Sequence, residues 1–268
     1  MNIERLRTII EYSDNHRIEL EARLKKYYSN LGMSSDKDVL NIMQIVRPSF
    51  RKKGYLVVEM PFADKEIGAL TYRGAALGYI VLNTSLPKVN VNFAICHEAY
   101  HVYYQKSSFR TKVEFSNEDY CEQEEEIAAN LFAGMLLMPE TSIRFMYHKF
   151  KEESKGNELD TIIRLMNYYE APYMAVLVRC YELGLSEQET VSCEMLNMDR
   201  DRIRERFVEL WLDETILEAT KKDDYLHLES MVTRFGEECI KDSYLNEKTL
   251  KKVLYNMRTL YTEIKGES

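Results

Sequence analysis

Apolar positions change their spacing twice along the chain. Ile3, Leu6, Ile9, Ile10, Ile18, Leu20 and Leu24 form a partial stripe at helical spacing, and Asn30-Leu31-Gly32 is a stop signal, so residues 3–29 are predicted as one long helix. A short helix is predicted over about residues 36–46, ending near Pro48. The period then falls towards two. Residues 54–60, 69–72 and 78–83 are rich in strand formers, with Arg73-Gly74 as turn chemistry between the last two. They predict a sheet of about three strands. The strand at 78–83 is expected at the sheet edge, where it could align an extended peptide by strand addition.

Beyond Pro139 the pattern is helical again. Residues 151–157 are polar and read as a loop, while residues 162–185 read as a helix, a turn at Ala171-Pro172 and a second helix ended by Gly184. Residues 202–212 are amphipathic, and 248–264 form a further helix with Asn246 as its cap. The expected class is therefore α+β and mostly helical. A small sheet lies before a central helix, and a helical C-terminal extension follows. Residues 1–185 are read as one domain with N-terminal helices and a following helical pair, and 186–268 as a separate helical region.

Composition narrows the setting. A hydrophobic fraction of 45% beside a charged fraction of 30% predicts a packed core. No stretch reaches the roughly 20 apolar residues of a membrane span. Met1 to Arg7 opens a charged amphipathic helix rather than a leader peptide. Five scattered cysteines without a CxxC pair read as reduced thiols of a cytoplasmic protein. A net charge of −8 argues against broad nucleic-acid affinity, and the basic group Arg47, Arg51, Lys52 and Lys53 reads as a solvated loop. The helix–turn–helix spacing at 162–185 could mean DNA binding, but the second helix offers few base-reading donors beyond Arg179, so packing is the preferred role.

The candidate chemistry lies at His97-Glu98-Ala99-Tyr100-His101, an HExxH pattern. On a helix, positions i and i+4 share a face, about 6 Å apart along the axis. Two imidazoles so placed can grip one zinc ion, and Glu98 can take a proton from an attacking water. Two of the chain's five histidines sit here, although the pattern also arises by chance in buried helices. A catalytic zinc needs a third protein ligand. The stretch 121–139 reads as a second helix, acidic at its start, apolar in its body and ended by Pro139. Glu125 and Glu126 are best spaced to enter the buried region. Glu126 and Asn130 share a face, so Glu126 could bind metal while Asn130 holds a histidine by its other ring nitrogen.

These two segments resemble the ImmA/IrrE metallopeptidases, whose pattern is HExxH, about two dozen residues, then ExEANxFAxxLLMP. Glu126, Asn130, Phe132-Ala133 and Leu136-Leu137-Met138-Pro139 carry the second half, and Asn92-Phe93-Ala94-Ile95 stands where the family usually has RFTLA. The resemblance spans roughly residues 50–185. It implies a zincin-like, gluzincin-type site with His97, His101 and Glu126 as zinc ligands and Glu98 as general base. The chain departs from the pattern at Ala128, usually Glu, at Tyr100, usually Gly, and at Val89-Asn90-Val91, usually Arg-rich.

The expected function is a zinc-dependent endopeptidase cutting a specific cytoplasmic protein. From the resemblance alone, that substrate is a helix-turn-helix transcriptional repressor of a mobile element or stress regulon. The alternative is a non-catalytic zinc protein that binds a partner or acts in DNA-linked regulation. Tyr103, Tyr104, Tyr147 and His148 are available as oxyanion donors. Cys96 and Cys121 lie close enough in sequence to touch the zinc, but a plain buried thiol is the simpler reading of each.

Overall fold

The computed structural model describes residues 1–34, 42–73, 78–105, 110–114, 124–186 and 192–266. Helix α1, Ile3–Asn30, starts at Asn2, whose side chain accepts the Arg5 N–H at 2.8 Å. It buries Leu6, Ser13, Leu20 and Tyr27, which recur every seven residues on one face.

Helix α2, Met43–Lys52, lies further along the chain than expected and runs through Pro48. Residues 36–41 of the expected helix lie outside the described residues. Val46 and Phe50 are both fully buried at i and i+4. Burying that pair contributes about 4 kcal/mol, which offsets the roughly 3 kcal/mol cost of a helical proline. Arg47, Arg51 and Lys52 therefore sit on a helix and not in the expected loop.

Four strands follow: β1, Tyr55–Met60; β2, Ile67–Arg73; β3, Gly78–Asn83; and, after helix α3, β4, Arg110–Glu114. Their order across the sheet is β1-β3-β2-β4. β3 pairs parallel with β1 and antiparallel with β2. The strand at 78–83 is thus interior, contrary to expectation. With both of its sides hydrogen-bonded it cannot accept a further strand, and the edges are β1 and β4. Gly78 sits against the Tyr55 ring, where an added Cβ would meet ring atoms at 2.3 Å, so this crossing requires glycine.

Helix α3, Lys88–Tyr104, is buried almost throughout from Val89 to Val102, as expected of a helix apolar on all sides. It packs on α4, Glu124–Leu137, and beneath β2 and β3. Helix α5, Glu140–Glu153, takes in residues 151–153, which had read as loop. Its last turn is held by Lys151 against Glu158, and the chain turns only at Lys155 and Gly156, with φ of 52° and 84°. Helices α6, Glu158–Tyr169, and α7, Tyr173–Glu182, form the expected pair. Arg179 of α7 is 5% exposed and pairs with Glu182 at 2.6 Å, so it is a packing residue and not a base reader.

After α8, Cys193–Leu196, helix α9, Arg200–Glu209, docks on α6 through Arg206 and Asp160. The chain then returns to the sheet. Lys88 donates to the Glu218 carbonyl at 3.0 Å, and Lys221 to that of Thr84 at 3.0 Å. Helices α10, Tyr225–Lys241, and α11, Glu247–Lys265, form a hairpin, and Asn246 caps α11 as expected. The main core fills the space between the sheet's inner face and α1 to α7. A smaller cluster on the outer face joins Val58, Met60, Phe62 and Val81 to Tyr225, with Tyr261 and Ile264 packed against it. Among the described residues, no helix is long and apolar enough to cross a membrane.

Candidate metal centre

Helix α3 brings His97, Glu98 and His101 into the core at 1%, 0% and 1% exposure. His97 and His101 share one helix face by their i, i+4 spacing. Glu126 sits in the acidic first turn of α4, whose axis is held against α3 by Phe132, a fully buried ring packed on Tyr100 and Tyr104. Its carboxylate faces both imidazoles. Oε2 lies 3.3 Å from His97 Nε2 and Oε1 lies 3.5 Å from His101 Nε2, and the two Nε2 atoms are 3.0 Å apart. One ligand atom from each residue lies within 4.8 Å of the others. The Glu126 side chain is 37% exposed, so the centre opens to solvent on that side.

The other ring nitrogens are fixed. His97 Nδ1 donates to Asn130 Oδ1 at 2.9 Å, and His101 Nδ1 donates to Gln105 Oε1 at 3.0 Å. The Gln105 amide cannot turn around without loss, because its Nε2 donates to Glu125 Oε2 at 3.1 Å. With each proton held on Nδ1, both Nε2 lone pairs and a carboxylate converge on one point. Three electron-rich groups in a buried place repel one another unless a cation lies between them. A divalent metal satisfies all three, and two imidazoles with one carboxylate are a donor set suited to zinc.

Without a metal, protons on the Nε2 atoms compete for the same place. Burial by itself would raise the Glu126 pKa, but hydrogen bonds and charge from His101 and His97 outweigh it and hold the carboxylate well below its ordinary range. Burial would lower His101, yet Glu126 and the nearby Glu98 charge raise it.

Residues 50–181 match the IrrE N-terminal-like domain of peptidase family M78. This part of the chain belongs to that family. The match together with the donor cluster makes the protein a metallopeptidase, a hydrolase of peptide bonds. No curated protein matches the chain.

In this IrrE-like domain the departures from the family pattern have clear surroundings. Ala128 is 1% exposed and, two residues past Glu126, lies on another side of α4 from the donors. Tyr100 is buried; its ring meets His101 edge-on and its hydroxyl accepts from Arg23 of α1. A residue in place of the usual glycine therefore ties the metal helix to the N-terminal helix.

Other sequence candidates are engaged elsewhere. Tyr103 donates to the Ser49 carbonyl, Tyr104 to that of Arg23, and Tyr147 to Glu158, while His148 lies exposed on α5. Cys96 is fully buried against Met43 of α2, and burial pushes its thiol well above the usual range, which removes the reactive form. Cys121 and Glu122 lie outside the described residues. Gln105 went unnoticed in the sequence. Its signal was its position four residues past His101, the same relation that joins Glu126 to Asn130.

Proposed function

We propose that the protein is a zinc-dependent endopeptidase in which His97, His101 and Glu126 hold the metal and Glu98 is the general base. The convergence of two Nε2 atoms and one carboxylate, with both Nδ1 atoms hydrogen-bonded to amide oxygens, carries this reading. Zinc bound there supplies Lewis acidity, polarising a carbonyl and making water a better nucleophile near neutral pH. Glu98 adjoins His97 on the same helix and is wholly buried. It accepts a proton from the attacking water and returns it to the leaving amine. Asn130 and Gln105 keep the rings in the ligating tautomer and orientation. Burial of α3 excludes bulk water from all but the Glu126 side, which strengthens these charge interactions.

The substrate in this proposal is a cytoplasmic helix-turn-helix repressor of a mobile element or stress regulon. Family resemblance supports it. Residues 1–185 are proposed as the catalytic unit and 186–268 as a helical region added to it.

Metal analysis tests the centre. Protein purified without added zinc should carry about one zinc per chain, retained in Glu98→Gln and lost in His101→Ala and in Glu126→Ala. A wild type that takes up no metal when zinc is offered would end the proposal. Loss in His101→Ala alone would move the third ligand elsewhere. The substrate is tested by labelling new protein N-termini in cells making the wild type or Glu98→Gln. New termini within a repressor, present only with the wild type, are expected. Termini confined to other proteins would remove the repressor.

A further inference from the structure

β1 is an edge strand whose outer side is open along part of its length. Its ladder to β3 uses the carbonyls of Gly54 and Met60, which accept from Gly78 and Thr84, so the even-numbered residues face β3. Tyr55, Val57 and Glu59 turn their backbone groups to the other side. At Glu59 that side is closed: its N–H donates to Asp224 Oδ2 at 3.0 Å and its carbonyl accepts from Asp224 N at 2.8 Å. At Val57 no partner occurs among the described residues. A groove of about 440 Å³ lies there, walled by Pro48 and Arg51 of α2 on one side and by His227, Leu228 and Met231 of α10 on the other.

The charges of this groove do not cancel. Glu59 is taken by Arg47 at 2.6 Å and by Lys222, which also reaches Asp224 at 3.3 Å. Both acids in the walls are thus neutralised. Arg51, in the last turn of α2, has no ion-pair partner among the described residues and is exposed. The result is an unpaired strand edge, an apolar wall and a cationic rim at one place. Natural edge strands are usually shielded from pairing, as Asp224 shields Glu59 here, and the stretch at Val57 is left unshielded.

We infer that this groove docks an extended, acidic segment of a partner protein, which adds a strand to β1. The edge groups of Val57 supply main-chain hydrogen bonds, apolar side chains of the segment lie on Leu228 and Met231, and a carboxylate meets Arg51. The groove is separate from the metal centre. α2 divides them, facing the groove with Pro48 and Arg51 and facing α3 with Met43 and Ser49. The inference stands whether or not the zinc proposal holds.

The test is fluorescence anisotropy with the full chain and a labelled, end-capped peptide of alternating valine and glutamate, about six residues long, an ordinary strand length. Saturable binding is expected. It should be absent for the valine–lysine counterpart and weaker by about tenfold or more when alternate backbone nitrogens are methylated, which blocks strand pairing. Arg51→Glu, an exposed charge reversal, should weaken binding about tenfold with zinc content and Tm unchanged, and Val57→Pro, which removes the outward N–H together with a side chain packed on the main core, should weaken binding at least as much with zinc content unchanged. The inference is overturned by no saturable binding, by equal binding of the lysine peptide, or by full binding in Arg51→Glu. Sedimentation showing a dimer that the peptide does not disturb and Arg51→Glu dissociates would overturn it too, because a second copy would then fill the groove.

Discussion

At the scale of single residues, the centre depends on which nitrogen of each imidazole carries the proton. Asn130 and Gln105 decide this through 2.9 and 3.0 Å hydrogen bonds. Asn130→Ala and Gln105→Ala should each keep the fold and weaken zinc affinity by about 10–100-fold, read by competition with a chromogenic chelator. Unchanged affinity in both would mean that the tautomer is set some other way. A different kind of buried polarity holds α1 to α7. Ser13 donates to Glu182 at 2.6 Å, Glu182 pairs with Arg179, and Arg179 donates to the carbonyl of Met138 at 3.3 Å. Arg179→Ala leaves the Glu182 carboxylate buried without its cation, so a loss of about 3–5 kcal/mol is expected in denaturant unfolding. In the sequence Arg179 is a lone base-reading donor on its helix, because the carbonyl of Met138 that it meets lies far away along the chain.

At the scale of elements, the C-terminal hairpin is tied to the sheet through Glu59, which holds Arg47 of α2 and Lys222 of the linker at once. Burial by itself would raise the Glu59 pKa, but the hydrogen bonds and charges of Arg47 and Lys222 outweigh it and lower the value below its ordinary 4.5. A folded pKa below the unfolded one means that the unfolded chain binds more protons in that window. The contribution is therefore complete above about pH 4.5 and disappears as pH falls through the folded value. Glu59→Gln should cost about 2 kcal/mol at pH 7, and the difference in Tm from the wild type should shrink as the pH is lowered below 4.5. A constant difference down to pH 3 would show that the charge is not what matters. Element identities were largely legible, since the strands at 54–60, 69–72 and 78–83 and the helices around HExxH follow period and capping. Strand order was not. Whether 78–83 lies inside the sheet or at its edge depends on the crossover from β1, and no local pattern encodes that.

At the scale of the whole molecule, the family match begins at residue 50, yet α1 completes the core around the metal helices. Tyr27 is fully buried, its ring packs edge-on against Tyr103 and Phe132, and its hydroxyl meets Ser49 of α2. Tyr27→Ala should cost about 3–5 kcal/mol and, by loosening α3 against α4, lower zinc affinity as well. Thermal unfolding with and without zinc checks both. Unaltered zinc affinity at a lowered Tm would make α1 a support for the fold alone.

The sequence by itself determined the local chemistry. HExxH at helical spacing, Glu126 and Asn130 one turn apart, and the caps at Asn2 and Asn246 are short-range relations that a helix enforces wherever it lies. Only the tertiary structure decided the rest: the 3.3 Å approach of Glu126 to His97, the partners of Tyr100 and Arg179, and the open edge at Val57. Each of these joins residues distant in sequence. Their meeting depends on how helices and strands pack to fill one core, and packing is a property of the whole chain rather than of any segment.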